Sequence, residues 1–461
     1  MTGSLLQLVA VGNEDIFITG NPQITFFKSI YKKFINFSME SMDLVFASVD
    51  KTLSYDNPTR LYINIPENGD ILSHVFLRFT LPDITISKKF RWIRNIGSAI
   101  INYAKIYIGG QLIEEVKGDY ITAYYNTSLT DIQLETYNKL IGNIESLYNP
   151  TSDSTSLSGR EICVSLPFWF TKNKGAYFPL CAIDNQEVRL EIELKPIKEI
   201  YIVDISDDVN RVQLGKPINK NHEIRYFMNN NSSNEWSLKP ILDTNYIFVD
   251  DDEKYRLKNN IQNQLIEVVN YREFLGKSGN VTLEVEMFHL TKDIMILARR
   301  DDVKSRNQHS NYTNFDSIEV PNYYMKNNAN WIYRNTTPVI TKDNYKNFDE
   351  KIINKLEIRF NGDLRLEPRD YDYFNKVQPF NHYKNTYPGI LLYSFSIDNS
   401  KYQPMGACNF TEIRRVEFLM DIKNPKLYED AYQYQYDIMF FTKTYNILKI
   451  QDGLCKLSYR L

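Results

Sequence analysis

The chain has 461 residues, with 54 Lys and Arg against 57 Asp and Glu and a formal charge of −3 at pH 7. A protein built mainly to hold nucleic acid carries a strongly basic domain, and this balance supplies none. Hydrophobic residues at 43% and aromatics at 14% are enough for folded cores, which excludes disorder as the dominant state.

In chain order, Leu5-Leu6-Gln7-Leu8-Val9-Ala10-Val11 comes first. It falls short of the ~18 apolar residues of a membrane span and lacks the basic region of a signal peptide. The expectation is a chain that neither spans a membrane nor leaves the cell by that route. Residues 20–40 then place Lys28, Lys32 and Lys33 among Phe26, Phe27, Tyr31 and Phe34. Amines interleaved with rings suit a single-strand binder. With no basic domain behind it, the stretch reads as a local patch.

From there most segments have period two or form short apolar runs ended by turn residues. A strand followed by a Pro-Glu-Asn-Gly turn is predicted over 59–70, and strands at 74–82, 160–170, 189–194 and 245–250, and later at 281–290, 355–368, 390–397, 414–420 and 436–442. Thirty-three Tyr and 26 Phe agree with β structure. Two stretches read as helix. Residues 119–144 mix polar and apolar residues at helical spacing. In 250–270, Leu257, Ile261, Leu265 and Val268 form one apolar stripe after an acidic start, Asp250-Asp251-Asp252-Glu253. Those acids read as a helix cap rather than a metal site.

The two halves repeat. "KIYIGGQLIEEVKGDY" (105–120) and "EIRFNGDLRLEPRDYDY" (357–373) each give strand, tight turn ending in Gly110 or Gly362, returning strand, and Asp-Tyr. Residues 166–194 and 392–420 likewise share an aromatic strand, a Tyr-x-Pro, a cysteine (Cys181 or Cys408) and a final strand. Two tandem all-β domains are the economical reading.

Chemistry is sparse. The five histidines, His74, His222, His289, His309 and His382, stand too far apart for any local metal spacing. Phosphate loops, dinucleotide fingerprints and nucleophile elbows are missing from the sequence, and Cys163, Cys181, Cys408 and Cys455 form no CxxC. The expectation is no enzyme, no cofactor and no metal, with the cysteines as free thiols. Sequons at Asn126, Asn280, Asn311 and Asn335 arise readily in an Asn-rich chain.

Against that background, "GSLLQLVAVGNEDIFITGNPQITFFKSIYKKFINFSME" (3–40) closely resembles the start of the major capsid proteins of nucleocytoplasmic large DNA viruses. Similar blocks follow in order at 166–194, 242–267, 367–383, 393–413 and 444–459. Val11 departs from the pattern, which often has an aromatic there, and the Asn-rich stretches 204–235 and 300–350 match nothing in it.

The resemblance implies an all-β double jelly roll, two tandem eight-stranded sandwiches with a few short helices. It divides the chain into an assembly arm (1–25), a first jelly roll (26–250), a connecting helix (251–269) and a second jelly roll (270–461). It implies homotrimeric, pseudo-hexagonal capsomers tiling an icosahedral virion shell, assembled in the host cytoplasm. Partners would be neighbouring capsomers and minor capsid and penton proteins, with outer loops facing host glycans or a receptor. The shell would lie over an internal membrane, without direct contact with nucleic acid. The arm would use Leu5, Leu6, Leu8 and Val9, turn at Asn21-Pro22 and be anchored by Phe26 and Phe27. Leu257, Ile261, Leu265 and Val268 would pack the domain junction. The alternatives are a minor or paralogous capsid protein of the same fold and a glycan-binding β-sandwich protein.

Overall fold

The computed structural model describes residues 3–29, 31–47, 52–85, 90–149, 156–204, 211–217, 219–228, 234–314, 330–333, 336–340, 351–424 and 434–459. They form two compact units, Met1–Phe37 and Ser38–Leu461.

The first unit carries two short helices, Gly3–Val9 and Asn13–Thr19. Between them the Asp15 carboxylate accepts the Gly12 N–H at 2.9 Å, satisfying a free donor at the helix start. The second helix ends where the Gly20 N–H reaches the Ile16 carbonyl at 2.8 Å. Asn21 follows with φ +51°, a left-handed conformation that asparagine tolerates, and Pro22 prevents the helix from resuming. Gly3–Val9 buries no side chain, so its leucines gain nothing from the arm's own fold.

The larger unit is built of β-sandwiches. In the first, the strands Phe37–Val45, Ile241–Val249, Ile71–Leu81 and Arg160–Ser165 make one sheet in that order. The other sheet runs Thr59–Asn64, Val188–Leu194, Ile101–Ile108, Gln111–Lys117. Inward residues such as Leu61, Val75, Leu77, Phe79, Ile106 and Ile192 share one core. The second sandwich repeats both sheets. Gln262–Lys277, Tyr436–Gln451, Leu290–Arg300 and Ile390–Ser394 take the order of the first sheet. Gly279–Glu284, Val416–Ile422, Ile353–Phe360 and Asp363–Asp370 take the order of the second. The four-strand order of each sheet recurs in both halves, with Cys408–Asn409 and Leu454–Leu457 added to the second half's first sheet, and each half is a jelly roll of two sheets.

The paired hairpins legible in the sequence occupy equivalent places. Ile108 pairs with Gln111 and Phe360 with Asp363, across two-residue turns. Gly109 and Gly110 have φ +54° and +80°, and Asn361 and Gly362 have +52° and +91°. Positive φ at both central positions gives the turn whose twist matches that of the flanking strands.

The structure divides the 119–144 helix in two, Gly118–Ser128 and Asp131–Leu140. Thr130 starts the second as a cap, its N–H reaching the Gln133 side chain at 3.1 Å.

The connecting helix expected at 251–269 is corrected more heavily. Only Asp251–Asn259 is helical, with the Asp250 carboxylate capping the Glu253 N–H at 2.9 Å. Asn260 turns extended, and Gln262–Lys277 is a strand in antiparallel register with Tyr436–Gln451. The stripe Leu257, Ile261, Leu265 and Val268 runs through two elements, because Ile261, Leu265, Ile266, Val268 and Val269 fit a strand equally well. Long-range pairing decided between them.

A further five-stranded sheet joins Phe90–Trp92, Tyr201–Asp204, Arg211–Gly215, Asn330–Tyr333 and Thr336–Ile340. Parallel pairing of Arg211–Gly215 with Asn330–Tyr333 draws the two Asn-rich stretches together.

Candidate functional site

The junction between the two sandwiches follows from one sheet buried on both faces. Along Leu290–Arg300, Ile294, Ile296 and Ala298 enter the second sandwich's own core, while Met295 and Leu297 join the core shared with the first. Ile438 and Phe440 alternate in the same way with Met439 and Phe441, and Leu391 with Ile390 and Leu392. A strand has period two, so consecutive apolar residues cover both faces. The signal was present in the runs "IMILA" (294–298) and "IMFF" (438–441), which are continuous rather than alternating.

Helix Gly118–Ser128 of the first sandwich lies against this sheet, with the Tyr120 ring 5.6 Å from Phe441. Asp119 beside it is 3.4 Å from Arg299 Nη1 and accepts the Tyr312 hydroxyl at 2.7 Å. Burial opposes ionisation of Asp119, but Arg299 and the other cations around it prevail and hold its carboxyl below the usual range. The Asn307 amide donates to the carbonyls of Lys198 and Tyr201 at 2.7 and 2.8 Å. His309 Nε2 donates to the Glu199 carbonyl at 3.0 Å. Burial, reinforced by Lys195 and Arg299, pushes the His309 imidazole well below its ordinary pKa, so it sits there neutral. At the far end the Cys455 N–H reaches the Gln186 side chain at 2.6 Å, tying the C-terminal hairpin to the first sandwich.

The four expected junction residues have separate fates. Val268 is buried in the core shared with the first sandwich. Leu265 and Leu257 are half-buried, and Ile261 is 57% exposed. The short helix meets the first sandwich through charge instead, with Lys254 at 2.7 Å from Asp70 and Lys258 at 3.0 Å from Asp184. Leu5, Leu6, Leu8 and Val9 lie on the first arm helix, Asn21 and Pro22 at the turn after the second, and Phe26 and Phe27 beyond it. Sequence reading missed the residues that hold the junction, Asp119, Arg299, Asn307 and His309, because their partners are distant in the chain.

No group of His, Cys, Asp and Glu among the described residues has metal-binding geometry. All four cysteines are free, and burial pushes the Cys181 thiol up to about 11. Of the sequons, Asn126 and Asn311 are buried and Asn280 is exposed, while Asn335 lies outside the described residues. Among the described residues no helix is long and apolar enough to cross a membrane.

The chain matches two family models in succession. "Major capsid protein N-terminus" covers residues 25–250, and "Large eukaryotic DNA virus major capsid protein" covers 253–455. It is 27% identical to "Probable capsid protein 4" of Acanthamoeba polyphaga mimivirus, over 100% of this chain and 99% of the relative. It is 26% identical to the major capsid protein of Phaeocystis pouchetii virus, over the full length of both. Among solved structures, PBCV-1 VP54 superposes with a TM-score of 0.72 at 20% identity, covering 95% of this chain and all of the other. The Faustovirus major capsid protein superposes with a TM-score of 0.70 at 11% identity, over 96% and 94%. At these identities the structural matches establish the fold, a double jelly roll.

Proposed function

The chain belongs to the major capsid proteins of large eukaryotic DNA viruses, and on that premise we propose that three copies form the capsomer that tiles an icosahedral virion shell. The observation that carries this reading is the repeated strand order of the two sandwiches, fused through a sheet buried on both faces. Two like blocks locked at one angle make a rigid unit, and threefold symmetry turns three such units into six similar corners. Exposed Phe380 and Ile397 on the second sandwich supply apolar surface for contacts between subunits.

In this reading residues 1–25 are the assembly arm and 26–250 the first jelly roll, and the second begins with the strand Gln262–Lys277 after the short helix Asp251–Asn259. The family models change over between residues 250 and 253, in agreement with that division. The arm's unburied leucines engage neighbouring capsomers or minor capsid proteins. Lys28, Lys32 and Lys33 face acidic partners on the inner side of the shell, over an internal membrane. The role is structural, without turnover, and assembly takes place in the host cytoplasm. Light scattering on the purified full chain tests the capsomer: three chain masses are expected, and a stable monomer would refute it.

A further inference from the structure

A cleft of 390 Å³ opens where the two sandwiches meet, and its wall is unusually rich in amines. Lys172 comes from the first sandwich, and Lys292, Lys384, Lys401 and Lys443 from the second, with Glu267 the one carboxylate on the wall. Lysine is rarely buried, yet the side chains of Lys172, Lys292 and Lys443 are only 8%, 2% and 5% exposed.

Each buried amine has a countercharge. Lys172 is 3.1 Å from Glu114, Lys292 is 2.6 Å from Glu267, and Lys443 is 2.7 Å from Asp293. Lys292 also donates to the carbonyls of Asn399 and Lys401 at 3.3 and 3.2 Å, which completes its three donors. Glu114 and Asp293 are themselves 0% exposed and do not line the cleft, whereas Lys172 and Lys443 do. Lys384 and the partly solvated Lys401, 3.5 Å from Asp398, add further positive charge at the cleft. Burial raises the Glu114 carboxyl above its usual range, which Lys172 and the Trp169 N–H partly offset.

We propose that this cleft binds a small polyphosphate anion and thereby clamps the two sandwiches together. Its volume suits a ligand of that class. Convergent lysines act as point charges towards phosphate oxygens, and low-dielectric walls strengthen them. An anion spanning the cleft would bridge Lys172 on one sandwich and Lys443 on the other. Such a ligand stabilises the folded chain by mass action, whether or not the chain has assembled.

The experiment is thermal unfolding of the full chain titrated with inorganic triphosphate in metal-free buffer. Sodium chloride at matched ionic strength is the control, and orthophosphate the second arm. The expected result is a saturable rise in Tm with triphosphate, a weaker one with orthophosphate and none with chloride. In the Lys384→Ala/Lys401→Ala variant, whose changes lie at the rim and spare the buried pairs, the apparent Kd should weaken at least tenfold. A rise that does not saturate, or that is the same in that variant, would overturn the proposal. Because the readout needs no shell or trimer, its failure is separable from failure of the capsomer reading.

Discussion

Arg299 of the second sandwich lies 3.4 Å from Asp119 of the first, and both also engage residues 309–312: the Tyr312 hydroxyl binds Asp119 at 2.7 Å, and Arg299 reaches the His309 carbonyl at 3.4 Å. Arg299 is buried and the Asp119 side chain is 21% exposed, so the pair carries charge across the junction largely out of solvent. Breaking a buried pair by removing one partner costs about 3–5 kcal/mol, because the survivor is left uncompensated. Asp119→Leu alone should therefore lower stability by that order in denaturant melts. Asp119→Leu with Arg299→Met should lose markedly less, and additive losses would show that the two do not act as a pair.

The neutral His309 gives the junction a pH dependence. Its folded pKa is depressed, so below about pH 6.5 the unfolded chain takes up a proton that the folded chain refuses. Stability is unaffected above that pH and falls as pH drops, by up to about 1.4 kcal/mol per unit for one proton. Lys195, Arg299 and Lys216 all oppose protonation there. Melts at pH 7 and 5 should show the loss, and His309→Gln should flatten the slope between them.

The doubly buried sheet predicts a sharp contrast between neighbouring elements. Leu297→Ala should cost about 2–5 kcal/mol and Phe441→Ala about 3–5, since each empties a space in the shared core. Ile261→Ala, on an exposed side chain, should stay within about 0.5 kcal/mol. Equal losses at Ile261 and Leu297 would restore the longer helix that the structure replaces with a strand.

These contrasts also mark how much of the fold was legible. Strands such as Val188–Leu194, the tandem repeat and both hairpin turns could be read because each is written in a few adjacent residues, whereas the strands Phe37–Val45 and Leu290–Arg300 were missed and the expected 160–170 ends at Ser165. The segment after Asn260 could not, since Ile261, Leu265 and Val268 satisfy helix and strand spacing alike and only the partner strand Tyr436–Gln451 decides. The amines of the cleft were equally hidden: Lys172 and Lys443 are far apart in sequence, and neither stands in a motif.

At the hairpins, Gly362 has φ +91° with open space around its Cα, so a side chain there meets backbone strain alone. Gly362→Val should cost at least about 1–2 kcal/mol, and Gly362→Asn much less. The same order should hold at Gly110, with φ +80° and equally open space. Valine tolerated at both positions would contradict the paired left-handed turns.

The central claim, a shell built from this chain by way of its arm, is tested most directly by deleting residues 1–19. Leucines that bury nothing within their own helix are free to be lent to neighbours. Leu5, Leu6, Leu8 and Val9 together could contribute on the order of 6–12 kcal/mol before ordering costs, at about 1.5–3 kcal/mol each. Sedimentation of assembly products beside a melting curve of the isolated trimer is the measurement. The expected result is that the full chain yields closed particles, while the truncated chain gives a trimer of unchanged Tm and no particles. Full-size shells from the truncated chain would contradict the arm's role, and loss of the trimer would make the arm part of the fold.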